Sequence, residues 1–146
     1  MQLDQPGRSQ WIGRPVRRLE DARLLTGQGR YTDDLALPGQ LHCAFVRSPH
    51  AHARIGGIDT AAARALPGVV AVYTGRDLIE DGLGALPFLH LHKRPGGQPI
   101  EAPPRHALTV DVARFVGDAV AMVVAETRQP AKDGAAAVEA AWEPLP

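Results

Sequence analysis

Along residues 39–48, GQLHCAFVRS, side chains alternate with the two-residue period of a strand. Leu41, Cys43 and Phe45 share one face, and His42, Ala44 and Val46 share the other. Apolar residues on both faces predict a strand covered on both sides, with Cys43 as a small buried thiol. ARIGGID, 53–59, reads as a second short strand. The alanine-rich segment AAARAL follows as a helix that a side-chain oxygen of Asp59 or Thr60 can cap, and Pro67-Gly68 ends it. VVAVYT is a β-branched strand, and Thr74 three residues before Asp77 resembles a capping box, with Asp weaker than Glu for the return bond. The most apolar run, Ala119 to Ala125, predicts a central buried strand. Thr127 is placed as the cap of a second alanine-rich helix, with Pro130 in its first turn and Ala131, Ala135 and Val138 as its inward stripe. Gly134 is expected to weaken that helix by roughly 1 kcal/mol relative to Ala. AAWEPLP closes the chain as a short strand.

Before the first strand the pattern is weaker. Residues 1–11 read as a flexible arm, and Arg18 to Leu25 as a short helix stopped by Gly27 and Gly29. Residues 82–107 hold five prolines and four glycines. An irregular connection of that length inside a compact domain is uncommon and usually functional or mobile. The predicted order is strand, strand, helix, strand, loop, strand, helix, strand. This is an α+β fold: a mixed or antiparallel short-stranded sheet with two small alanine-rich helices, occupying residues 12–146.

Composition narrows the function classes. The 146 residues carry 16 basic and 16 acidic side chains, so the formal net charge is zero and no basic excess favours nucleic acid or a membrane surface. One cysteine excludes an internal disulfide. The start, MQLDQPGRSQW, has no apolar core of a signal peptide, and no stretch approaches the roughly 20 apolar residues that span a bilayer. A cytoplasmic protein is expected.

Candidate chemistry is sparse. His50 and His52, one residue apart in RSPHAHARIGGID, could reach one ion from an extended segment, and His90 with His92 repeats the spacing. A zinc site needs three or four ligands, so histidines of a loop or strand edge are the commoner explanation. Ser48 near His50 suggests a nucleophile and base, but it precedes Pro49, lacks a glycine-flanked elbow and has no assigned acid. Gly27-x-Gly29 lacks the residues of a phosphate loop, and Asp33-Asp34 fits a turn cap better than a cation site. Lys93 and Lys132, the only lysines, are poorly placed for a biotin or lipoyl attachment point.

The combination G-x-G-R-Y-x-D-D, R-S-P-H-A-H-A and V-V-A-E-T, over about residues 12–79 and 114–146, resembles the start of the large subunit of molybdenum hydroxylases. That group comprises xanthine dehydrogenase, aldehyde oxidase and carbon monoxide dehydrogenase. The resemblance implies the α/β hammerhead fold, and a parent enzyme whose molybdopterin cofactor hydroxylates aldehydes or N-heterocycles. Iron–sulfur clusters and FAD then lie on partner domains or subunits. It also implies partners: the molybdopterin-binding domains or subunit, with the iron–sulfur subunit as a second candidate. The family's cofactor-binding and base-supplying residues lie beyond this module, so no catalytic, cofactor-binding or metal residue is assigned and the chain alone is expected to bind no cofactor. Arg47, His50, His52 and Arg54 are the expected domain-interface residues. Asp118-Ala119 replaces the family's acid- or amide-Pro pair and is expected to loosen that turn. The chain is read as an excised domain, a truncated product or a separate subunit. A free-standing small-ligand or protein-binding module, its ligand held under the 82–107 loop, is the alternative.

Overall fold

The computed structural model describes residues 13, 15–87, 93–98 and 103–146. The 1–11 arm, His90 and His92 lie outside the described residues, as does part of the 82–107 loop. The chain divides into two units, Met1–Pro38 and Gly39–Pro146. In the first, helix α1 (Asp21–Leu25) is shorter than the predicted 18–25. The Asp21 carboxylate accepts hydrogen bonds from the Arg18 backbone N–H at 3.3 Å and from Arg18 Nε at 2.9 Å, tying the preceding turn outside the helix. Gly27, at φ +70°, ends the helix in the left-handed region. Thr32–Asp34 forms one 3-10 turn, and the Tyr31 N–H donates to the Asp34 carboxylate at 2.9 Å, the turn-capping role expected of these acids.

The second unit is built on two three-stranded antiparallel sheets, where the sequence suggested one. The strands are β1 (His42–Arg47), β2 (Ala53–Asp59), β3 (Val69–Thr74), β4 (Val112–Ala113), β5 (Ala119–Ala125) and β6 (Glu139–Pro144). The first sheet has the order β1-β5-β3 and the second β4-β2-β6. The apolar run 119–125 is central, as its composition predicts. β4 is only two residues long, too short for periodicity to reveal.

Helices α2 (Ala61–Arg64), α3 (Gly75–Glu80) and α4 (Arg128–Ala137) complete the unit. Asp59, not Thr60, caps α2: its Oδ1 accepts the Ala61 N–H at 2.8 Å. Thr127 makes no capping hydrogen bond to α4 through its side chain, contrary to expectation. At α3 the relative strengths are reversed. The return bond from the Thr74 N–H to the Asp77 carboxylate is 2.6 Å, whereas the Asp77 N–H reaches Thr74 Oγ1 only at 3.5 Å. The shorter Asp side chain is held close because Thr74 Oγ1 also donates to it, at 2.6 Å. These bonds, the side-chain one first, lower the Asp77 pKa by favouring the carboxylate.

One face of the first sheet meets α2 and α4. Ala63, Val72, Ala121, Val123 and Val138 form the buried centre, with Val46, Ile58, Val69, Ala135 and Ala137 packed against it. The predicted stripe of α4 faces this core: Ala131 is buried, Ala135 packs against the centre, and Val138, just past the helix, belongs to it, with Gly134 buried beside them. Gly134 is the contact point: a Cβ there would sit 2.7 Å from Val123 Cγ1 and 3.2 Å from Val69 Cγ2. Its missing side chain is therefore what lets the helix approach the sheet. Gly75 serves a similar close approach, because a Cβ would lie 2.7 Å and 2.9 Å from the carbonyl oxygens of Leu108 and Thr109.

On the opposite face of that sheet the edge strand β1 is open, whereas Val120 at the end of β5 is fully buried. β1 alternates half-buried and exposed positions, with Cys43, Phe45 and Arg47 exposed. This corrects both the two-sided burial expected of β1 and the buried thiol expected of Cys43.

Candidate functional site

RSPHAHAR carries β1 of the first sheet into β2 of the second. Ser48, only 2% exposed, sits where the chain leaves β1. Its hydroxyl donates to the His50 carbonyl at 2.9 Å and accepts the His50 N–H at 3.1 Å, which closes a tight turn around Pro49. Its backbone N–H donates to the Asp118 carbonyl, and its carbonyl accepts the Gly117 N–H, both at 2.8 Å. Arg47 Nη1 donates to the Gly117 carbonyl at 2.8 Å. The serine motif and the Val-Gly-Asp motif are thus locked together, 70 residues apart in the chain.

The second motif is a tight turn. Gly117 has φ +92°, and the Asp118 N–H reaches the Phe115 carbonyl at 3.2 Å, as in a type II turn with glycine third. The Asp118 carboxylate accepts Thr109 Oγ1–H at 2.8 Å and the Arg114 N–H at 3.2 Å. Asp118-Ala119 therefore does not loosen the turn; the carboxylate ties it to the strand and to residue 109. Sequence reading missed this role because Thr109 and Arg114 are brought to Asp118 only by the fold. The one local signal was Gly two residues after Phe115, at the turn position that needs positive φ.

Each histidine of the pair has its own partner. The His50 ring lies 5.7 Å from the Trp142 ring, tilted by 58°. His52 Nδ1 lies 2.7 Å from the Pro146 carbonyl oxygen, a hydrogen bond that requires the proton on Nδ1, and the His52 carbonyl accepts the Leu145 N–H at 2.9 Å. Both therefore bind the turn to β6 and the residues after it. The exposed Arg54 pairs with Glu143 at 3.6 Å, across the β2–β6 register. Such exposed pairs contribute about 0–1 kcal/mol. The four residues expected at a domain interface are all engaged within the chain. Among the described residues no group of three or more His, Cys, Asp or Glu side chains could hold a metal ion.

A Ser48–His50 relay does not fit this geometry. The serine hydroxyl serves the backbone of its own turn, the His50 ring packs on Trp142, and the Asp118 carboxylate serves Thr109 and Arg114. Triad chemistry needs the base within hydrogen-bond reach of the nucleophile and oriented by the acid.

A cleft of about 260 Å3 lies between the sheets, lined by Ile55, Gly57, Ile58, Thr74, Gly75, Arg76, Thr109 and Val110. It is smaller than the roughly 300–1,000 Å3 of ordinary cofactor sites. Its two hydroxyls already donate, Thr74 to Asp77 and Thr109 to Asp118. The carbonyl oxygens of Leu108 and Thr109 crowd Gly75, and Arg76 is the cationic side chain of the lining. At this size the cleft does not fit a pterin cofactor with its phosphate.

Comparison with known proteins gives one family. Residues 26–146 match the aldehyde oxidase and xanthine dehydrogenase a/b hammerhead domain. The nicotine 6-hydroxylase large subunit of Paenarthrobacter nicotinovorans is 47% identical over 122 residues, covering 84% of this chain and 14% of the relative. A xanthine dehydrogenase molybdenum-binding subunit of Escherichia coli is 36% identical, covering 88% of this chain and 17% of the relative. Among solved structures, quinoline 2-oxidoreductase from Pseudomonas putida is similar with a TM-score of 0.76 and 46% identity, over 90% of this chain and 16% of that one. The chain spans about one seventh to one sixth of the length of these three proteins.

Proposed function

Because this chain belongs to the aldehyde oxidase and xanthine dehydrogenase family, as its α/β hammerhead domain, we propose that it is the structural, non-catalytic part of a molybdopterin-dependent hydroxylase. The family's members include molybdenum-binding subunits. In this reading the chain packs against the cofactor-binding domains of a large subunit, continuous with them or separate, in a cytoplasmic enzyme. The molybdenum cofactor, held elsewhere, supplies the hydroxylation chemistry. This chain's residues hold a rigid two-sheet body beside it. The substrate class is an aldehyde or an N-heterocycle; nicotine and quinoline, named for two relatives, are N-heterocycles.

One observation carries the structural role. The polar side chains that resemble a catalytic set are each engaged inside the fold: Ser48 with the His50 backbone, His50 with the Trp142 ring and Asp118 with Thr109. Groups engaged this way stiffen a body and are not free to act as base or nucleophile themselves. Arg47 and Arg54, exposed although they already engage the Gly117 carbonyl and Glu143 within the chain, are the side chains we assign to the domain interface.

Co-expression with a molybdopterin-binding polypeptide from the same source tests the reading. The expected result is a stable complex, with aldehyde or N-heterocycle oxidation by the complex and none by the 146-residue chain. Failure of the two to associate, or turnover by the chain alone, overturns it.

A further inference from the structure

We propose that the outer face of the β1-β5-β3 sheet is the surface on which the cofactor-binding polypeptide of the large subunit docks. This rests on the structural-domain reading above and names the surface that reading requires.

The strand registers define the face. Cys43 and Ala71 both pair with Val124, and Phe45 and Tyr73 both pair with Met122. Directly paired residues project on the same side of a sheet, so these six side chains form two adjacent cross-strand rows. The intervening rows, Ala44–Val123–Val72 and Val46–Ala121–Thr74, point the other way, into the core beneath α2 and α4. Leu41 extends the outer face at 47% exposure and Phe45 is 42% exposed. No charged side chain lies in either row. The nearest, Arg47, stands at the end of β1 with its guanidinium 5.5 Å from the Phe45 ring centre.

Strands with apolar residues on both faces are found where both faces are covered. Here α2 and α4 cover one; on the other Leu41, Cys43 and Phe45 are exposed, Ala71, Tyr73, Met122 and Val124 are half-buried, and Val120, at the end of β5, is fully buried. Three strands about 4.8 Å apart, with six residues rising about 3.4 Å each, make this face roughly 200–300 Å2. That is too little for a whole interface of about 800 Å2 per partner, but it suits the apolar centre of one. An uncharged face needs an apolar polypeptide surface opposite it. The relatives carry further chain that could supply one, since this segment is only 14–17% of their length.

Cys43, the only cysteine of the chain, is a built-in reporter on the edge strand of the face. Alkylation with iodoacetamide, read by mass spectrometry on the Cys43 peptide, compares the chain alone with the chain bound to the cofactor-binding polypeptide. The reaction should slow by roughly tenfold or more on assembly, since only the unbound fraction reacts. Phe45→Asp should weaken association by at least roughly tenfold, because losing one buried aromatic exceeds the 1.4 kcal/mol that corresponds to that factor. Lys132→Glu, on the exposed side of α4, should leave association unchanged. If the complex forms but Cys43 reacts at its free rate, the docking surface lies elsewhere and the structural-domain reading survives. If no complex forms, that reading fails. If Cys43 is already protected in the isolated chain and exposed by dilution, or by deleting residues 1–38, a second copy or that segment occupies the face and the proposal is overturned.

Discussion

Gly134→Ala separates helix propensity from packing. Propensity favours Ala over Gly inside a helix by about 1 kcal/mol. Packing opposes it, because the new Cβ would lie 2.7 Å from Val123 Cγ1 and 3.2 Å from Val69 Cγ2, against an ordinary carbon–carbon contact of about 3.5–4.0 Å. Val123 is fully buried and Val69 packs beside it. A β-branched residue has few alternative rotamers, so α4 must shift outward by roughly 1 Å or Val123 must leave its rotamer, at about 0.5–1.5 kcal/mol. Overpacking of a tight core costs about 1–3 kcal/mol. The net expectation is destabilisation by about 1 kcal/mol, or a Tm lower by roughly 3–4 °C. Urea unfolding followed by circular dichroism would measure it. In a Val123→Ala background the 2.7 Å clash is gone and only the 3.2 Å approach to Val69 is left, so Gly134→Ala should become close to neutral, with a coupling of about 1 kcal/mol across the double-mutant cycle. A Gly134→Ala protein as stable as wild type, or additive effects in the cycle, would refute the close-approach argument.

Two further outcomes follow from the same structure. His50→Ala with His52→Ala should cost about 0.5–1.5 kcal/mol through the lost His50–Trp142 ring contact, a refinement of the neutral outcome that loop histidines suggest. Metal content, measured by mass spectrometry, should not change, and loss of stoichiometric zinc would contradict the structural role of the pair. At Asp77 the folded pKa is lowered, so its stabilisation is present above the unfolded value of about 4 and is lost as pH falls through the folded one. Asp77→Asn should therefore shrink the acid-side drop in stability, and acid unfolding curves that coincide for the two proteins would contradict it.

Much of the fold is legible in the sequence because its signals are local. The β-branched run 69–74 and the apolar run 119–125 form strands, Gly68 at φ +80° ends its helix turn, and Thr74 with Asp77 forms a capping box. Where two residues must be brought together by the fold, the local signal fails. Gly134 reads as a weak point in a helix and is instead its contact with Val123. Cys43 and Phe45 read as one face of a doubly covered strand, yet both are exposed, because alternation reports that a face is apolar and not what lies against it. The family motifs were readable as motifs, whereas their joining through Ser48 and Gly117 was not.

The order of residues by itself determined the strand and helix periods, the turn positions and the family, since these depend on neighbours a few residues apart. Tertiary structure decided that six strands divide into two sheets, that Asp118 reaches back to Thr109, and that the serine and histidines serve the scaffold. Those outcomes depend on distances between residues far apart in the chain, which a one-dimensional pattern does not contain and which packing alone sets.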